Sequence, residues 1–160
     1  MSLHAIVDAH AQGFAENMYL DPATRTKVEE TGGANFIFIT KDGTFVTPKS
    51  DSILPSITRR SLMVVAEKYL GLKVEHREVL FDEVKDFAEC GLCGTAAVIS
   101  PVGKIVDHGK KSASQAVWMR WDLSQRSFVT HLQAFRWAIL MDRMDGFTRL
   151  SVINNKNIHL

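Results

Sequence analysis

Three short stretches of this chain carry residue types suited to one flat, phosphorylated ligand. The first is Val28-Glu29-Glu30-Thr31-Gly32-Gly33-Ala34-Asn35-Phe36. A carboxylate beside a heterocyclic nitrogen keeps that nitrogen protonated and the ring able to take up electrons, and Glu30 is the candidate for that place. Its neighbour Glu29 points to the other face of a strand, and the Gly32-Gly33 pair lets backbone pass close to a flat molecule. The second stretch is Ile53-Leu54-Pro55-Ser56-Ile57-Thr58-Arg59. Here Ile57 and Thr58 fall at a helix start, where unpaired N–H groups and the positive end of the helix dipole seat a phosphate. The third, Gly94-Thr95-Ala96-Ala97, offers a hydroxyl to the same phosphate and the Thr95-Ala96 backbone to a carboxylate. Each stretch alone has an ordinary reading. Two acids before a Gly-Gly often make a solvated turn, every helix has an N-terminus, and small residues end many strands.

Cys90 and Cys93 form a lone Cys-x-x-Cys, the spacing of a redox pair or of half a zinc site. No second ligand pair accompanies it, so ordinary reduced thiols are expected, with no metal. The chain has 160 residues, 46% hydrophobic and 23% charged, enough for one domain with a core of its own. A formal net charge of +1 gives no basic face for nucleic acid or an anionic membrane, which leaves small molecules or another protein as partners. The opening residues lack a basic-then-apolar leader, and no apolar run approaches the roughly 20 residues of a membrane span. A cytoplasmic location is expected.

The elements that must position these residues follow from periodicity and punctuation. His4 to Gly13 reads as the end of a helix stopped by glycine. Phe36 to Ile39 and Thr44 to Thr47 read as strands of a hairpin turning at Lys41-Asp42-Gly43. After Pro55 comes a helix with Leu62, Val65, Ala66 and Tyr69 on one face, Thr58 as its N-cap and Gly71 at its end. Lys73 to Leu80 suits a strand, Asp82 to Glu89 a short helix, and Thr95 to Ser100 a strand turning at Pro101-Val102-Gly103 into Ile105-Val106. Strands alternating with helices predict an α/β domain.

In order and spacing, the three stretches resemble the branched-chain amino-acid aminotransferases, pyridoxal-phosphate enzymes of the class IV aminotransferase fold, from about Leu3 to Gly109. The resemblance implies the large C-terminal domain of the D-amino-acid aminotransferase-like fold, a mixed, partly barrel-like sheet with flanking helices, incomplete here. It implies pyridoxal 5'-phosphate as cofactor, Glu30 at its pyridine nitrogen, Ile57, Thr58 and Thr95 at its phosphate, and Thr95 with Ala96 at the substrate carboxylate. Ser56 stands where the family usually has glycine. The implied reaction is amino transfer between leucine, isoleucine or valine and 2-oxoglutarate, in an enzyme that is a homodimer.

The family's Schiff-base lysine lies in a Gly-Gly-Asn-Tyr context ahead of the opening helix and has no counterpart here. No catalytic residue is therefore assigned, and this stretch alone is expected to show no turnover. Lys27, nearest in sequence to Glu30, would face away from it. D-amino-acid aminotransferases and aminodeoxychorismate lyases share the fold. The Glu-Glu-x-Gly-Gly-x-Asn and Cys-Gly-Thr-Ala-Ala segments fit the branched-chain group better. A noncatalytic remnant that binds cofactor or dimerises is the alternative of a different class.

The resemblance divides the chain into residues 1–110, a partial cofactor-binding domain, and an aberrant tail at 111–160. The tail holds Trp118, Trp121 and Trp137 and lacks the family's closing Gly-Pro-Val-Thr-Lys and Gly-Asp-Ile to Gly-Trp motifs. A Phe135 to Met144 amphipathic helix is its ordinary reading. Codon degeneracy supports another. Shifted by one base, the segment from Trp118 allows Met-Asp-Glu-Met-Gly-Pro-Val-Thr-Lys-Lys-Leu, and that from Trp137 allows Met-Gly-Asp-Ile-Asp-Gly-Gln-Asp-Gly-Trp-Ile. A frameshift near Lys110-Lys111 is expected, and with it a tail not selected to pack on this core.

Overall fold

A computed structural model describes residues 3–96, 98–107 and 115–118. The strand β3 (Asn35–Ile39) is its centre, with all five residues buried. Its Asn-Phe-Ile-Phe-Ile sequence is nearly all apolar because the strand is covered on both faces. Phe36 and Phe38 pack to one side with Val28, Val46, Val79, Val84, Phe87 and Cys90. Ile37 and Ile39 pack to the other with Phe45, Leu62, Ala66, Cys93 and Ile99. Phe38 stacks between Phe36 and Phe87, at ring-centre distances of 5.6 and 4.7 Å, the offset range that aromatic pairs favour.

One edge of β3 is taken along its length by β6 (Glu89–Gly94), from Asn35 opposite Cys93 to Ile39 opposite Glu89. The other edge is shared. β2 (Val28–Thr31) pairs at Glu30 opposite Asn35, and β4 (Phe45–Pro48) pairs at Phe38 and Ile39. β1 (Met18–Leu20) lies outside β2, β5 (Val74–Arg77) outside β4, and β7 (Val98–Pro101) outside β6, completing a seven-stranded sheet. β8 (Lys104–Asp107) pairs antiparallel with β9 (Gln115–Trp118) in a separate two-stranded sheet. The mixed α/β architecture agrees with the expected fold class.

The β3–β4 hairpin forms as the Asp42-Gly43 signal predicts. Gly43 adopts φ 85, Thr40 N donates to Thr44 O at 3.0 Å, and the Thr40 and Asp42 side chains bond to each other. β4 and β5 run parallel, with Thr47 opposite His76, and α2 (Ile57–Lys68) makes the crossover between them. Leu62 and Ala66 form the buried stripe of α2, and Gly71 follows with φ 65. The N-cap is Ser56, not Thr58. Ser56 is extended at φ −81, and its Oγ accepts from Arg59 N at 3.1 Å, while Thr58 is already inside the first turn.

α1 (Leu3–Ala11) ends ahead of Gly13, which has φ 83. The strand expected over Lys73 to Leu80 is regular only through Val74–Arg77, after which the chain crosses to β2, where Val28 N donates to Val79 O at 2.8 Å. The short helix is a 3₁₀ turn at Phe81–Asp86 rather than Asp82 to Glu89. Glu83 fixes its start by accepting from Leu80 N at 2.8 Å, and Glu89 already belongs to β6. Thr95 and Ala96 sit in the turn between β6 and β7, so the strand expected from Thr95 begins at Val98.

No helix among the described residues is long and apolar enough to cross a membrane. Ala97, Trp121, Trp137 and the segment Phe135 to Met144 lie outside the described residues, as does the expected tail apart from β9.

Candidate functional site

Glu30 lies on β2 directly opposite Asn35 of β3, which in turn lies opposite Cys93 of β6. Side chains directly opposite on adjacent strands share a face. Asn35 Nδ2 donates to Glu30 Oε2 at 3.0 Å, and Leu54 N donates to the same oxygen at 3.2 Å. The second bond ties the loop ahead of α2 to β2. Among the described residues Oε1 has no hydrogen-bond partner, and the half-buried carboxylate is held through Oε2. Glu29 goes to a different partner, accepting from Ser50 Oγ at 2.8 Å.

The Gly32-Gly33 turn is held by Thr31, whose Oγ1 accepts from Ala34 N at 3.0 Å and whose N donates to Ala34 O at 2.9 Å. The end of β6 presses on this turn. A Cβ on Gly94 would sit 3.3 Å from Gly33 O, so glycine there permits the close approach. The exposed Thr95 and Ala96 follow at once. β3 thus carries the Glu30 carboxylate on one edge and, through β6, leads the Gly94–Ala96 turn in on the other.

At the start of α2, Ser56 Oγ takes Arg59 N and Ser56 O takes Arg60 N at 3.1 Å. The N–H groups of Ile57 and Thr58 precede the helical ladder and remain for another acceptor. Ile57 is 75% exposed. Serine in place of the family's glycine is accommodated, because φ −81 suits any residue.

Two contributors have no role in the sequence reading. Asn35 is legible only once β2 and β3 are paired, since its partner lies five residues back across a turn. Arg59, 6% exposed, donates Nη1 to Pro48 O at 3.1 Å and lies close enough to Cys93 and Glu30 to feel both. Burial pulls its pKa below the usual arginine value, and those two acids oppose the shift. Its position one turn ahead of Leu62, on the face that carries Leu62 and Ala66, was the available signal.

Lys27 is engaged elsewhere, its Nζ 2.7 Å from Glu78 Oε1. Cys90 and Cys93 are both free and buried. They pack on opposite sides of the sheet, Cys90 among the Phe36 and Phe38 side chains and Cys93 among those of Ile37 and Ile39. No group of metal-binding side chains occurs among the described residues.

Of the predicted site residues, Ala96 lines a large cavity on the β6 side of the sheet. This cavity of about 1370 Å³ is walled partly by Thr31, Gly33, Ala34, Gly94 and Ala96, but not by Glu30, Ile57, Thr58 or Thr95.

The amino-transferase class IV family matches residues 2–105. A branched-chain-amino-acid aminotransferase of Helicobacter pylori is 53% identical over 115 residues, 72% of this chain and 34% of that protein. One from Haemophilus influenzae is 56% identical over 97 residues, 61% of this chain and 28% of that protein. The chain thus spans about a third of the length of these relatives. Among solved structures, the branched-chain amino acid aminotransferase of Thermobaculum terrenum in its PLP-form is 38% identical with a TM-score of 0.56, covering 61% of this chain and 31% of that one. The enzyme of Thermoproteus uzoniensis with norvaline gives 0.69 at 25% identity, covering 90% of this chain and 43% of that one. With nearly two-thirds of its length matched by the family, this chain belongs to the class IV aminotransferases.

Proposed function

We propose that this chain forms the pyridoxal-phosphate-binding part of a branched-chain amino-acid aminotransferase, which moves an amino group between leucine, isoleucine or valine and 2-oxoglutarate. The observation that carries this reading is the state of Glu30. Asn35 and Leu54 fix Oε2, while Oε1 remains an open acceptor aimed by two bonds to its sister oxygen. That is what a pyridinium N–H requires of a carboxylate. The two unclaimed amides at Ile57 and Thr58 and the Thr95 hydroxyl suit the phosphate end, and the Thr95-Ala96 backbone suits a substrate carboxylate.

The residues present therefore fit the cofactor. When bound, the cofactor supplies an electron-accepting ring. Glu30 holds the proton at the ring nitrogen, Asn35 and Leu54 N orient Glu30, the α2 start neutralises the phosphate, and the Thr95-Ala96 turn orients the amino acid. No lysine of the described residues is assigned to proton transfer, Lys27 being paired with Glu78. This chain alone binds the cofactor without covalent attachment and gives no turnover. A cytoplasmic location accompanies this reading.

Titration of the chain with pyridoxal phosphate, followed by visible absorbance, tests this. A saturable spectral change is expected, weakened about tenfold in Glu30→Gln as one charge-assisted bond is lost. Borohydride treatment should leave every lysine unmodified by mass. The absence of a saturable change, or equal affinity in Glu30→Gln, overturns the proposal.

A further inference from the structure

A cavity of about 390 Å³ opens beside the carboxyl ends of the parallel strands β4 and β5, next to the first turn of α2. Its wall includes Lys49, Arg59, Arg60 and His76 together with Ser50 and Asp51. Glu30, Ile57, Thr58 and Thr95 do not contribute to it, so it is a different place from the cofactor site proposed above. The β4–α2–β5 crossover explains the juxtaposition. In such a unit the helix begins over the carboxyl end of the first strand, the position at which open α/β sheets bind ligands.

Charge at this place is unbalanced. Lys49, Arg59 and Arg60 meet a single carboxylate in the wall, Asp51, and His76 can add a further positive charge. Of the nearby acids, Glu29 bonds to Ser50 and Glu75 to Lys73 and Arg77, while Glu30 gives one oxygen to Asn35 and Leu54 and lies near enough to Arg59 to favour its charged form. Arg59 is more than nine-tenths buried, yet among the described residues its guanidinium makes one hydrogen bond, to Pro48 O, and its Nε meets no partner. A buried guanidinium with unspent donors is costly unless an anion accompanies it. Burial, and then the charges of Arg59 and Lys49, push the His76 imidazole below its ordinary range. The cations oppose one another across this space.

We propose that the cavity is a second anion site that takes a small phosphate-type oxyanion, either inorganic phosphate or the phosphate end of a small phosphomonoester, between Lys49, Arg60 and His76 over the Arg59 guanidinium. Bound there, the anion relieves the repulsion among the cations and adds to the single nearby carboxylate, Glu30, that already favours the charged guanidinium.

The test follows the His76 imidazole resonances of the full chain by NMR at fixed pH and ionic strength, with chloride as the control for screening. Inorganic phosphate and glycerol 3-phosphate are titrated separately. A saturable shift toward the protonated imidazole is expected, and the tighter of the two ligands identifies the free ion or the ester as the better occupant. In the double variant Lys49→Gln/Arg60→Gln, both exposed positions, the dissociation constant should rise about tenfold or more. The proposal fails if neither anion gives a saturable shift, if the double variant binds as the parent does, or if the Ile57 and Thr58 amides respond while His76 does not. Glu30→Gln leaves these residues intact, so loss of cofactor binding and loss of this site are separable.

Discussion

Asn35 reaches across the β2–β3 pair to hold Glu30 Oε2 at 3.0 Å, and it does so from a position only 4% exposed. A carboxylate aimed in this way needs no movement to accept a second donor at Oε1. The bond belongs to the sheet as much as to the site, because Asn35 is also the residue opposite Cys93 on β6.

Replacing Asn35 by leucine keeps the volume and removes the donor. Stability should fall by about 1–2 kcal/mol, the cost of leaving a part-buried acceptor one bond short. Affinity for pyridoxal phosphate should fall as well, since Glu30 is then held by Leu54 N alone. Urea unfolding and the absorbance titration read the two effects separately, and an Asn35→Leu chain with unchanged cofactor affinity would remove Asn35 from the site.

Ser56 offers a graded comparison. Ser56→Ala removes the oxygen that accepts from Arg59 N and should cost about 1 kcal/mol, whereas Ser56→Gly, the residue usual in the family, should cost only a few tenths. Denaturation midpoints of the two variants check the order. The reverse order would mean that the serine hydroxyl does not cap α2.

The two cysteines should behave as core residues. Burial pushes both thiols above the ordinary cysteine range, that of Cys93 to about 12. A raised folded-state pKa means that stability is fully present below the unfolded value and is lost as pH rises from about 9 toward about 12. Unfolding midpoints measured across that window should fall less steeply in a Cys90→Ala/Cys93→Ala variant. In the native chain neither thiol should react with a disulfide reagent until the chain unfolds.

Lys27 tests whether an amine among the described residues serves the cofactor. Its bond to Glu78 is at the surface, with side chains 37% and 62% exposed, a setting in which ion pairs add little to stability. Lys27→Met should therefore leave both folding and pyridoxal-phosphate affinity close to those of the parent, measured by the same titration. A large loss of cofactor binding would place Lys27 at the site after all.

The local elements were legible because their signals are local. Asp42-Gly43 dictates a hairpin turn wherever it falls between β-formers, and the Leu62 and Ala66 spacing dictates a helix with one buried face. The family followed from the order of three motifs, which is a property of sequence alone. β6 escaped because Cys90-Gly91-Leu92-Cys93 is weak in β-propensity, and only the edge of β3 makes it a strand. Thr58 suits a cap by type, but only the folded chain shows the N-cap two residues earlier, at Ser56, with the helix beginning at Ile57.

Sequence by itself determined which residues can do chemistry here: a carboxylate before a glycine pair, a helix start, and a small-residue turn with a hydroxyl. Tertiary structure decided what holds them and what else they meet. Asn35 serves Glu30 because β2 and β3 pair in one register, a relation between strands that no single stretch encodes. Lys49, the Arg59-Arg60 pair and His76 sit on three separate elements and become one charged cavity only when the β4–α2–β5 crossover brings strand ends and helix start together.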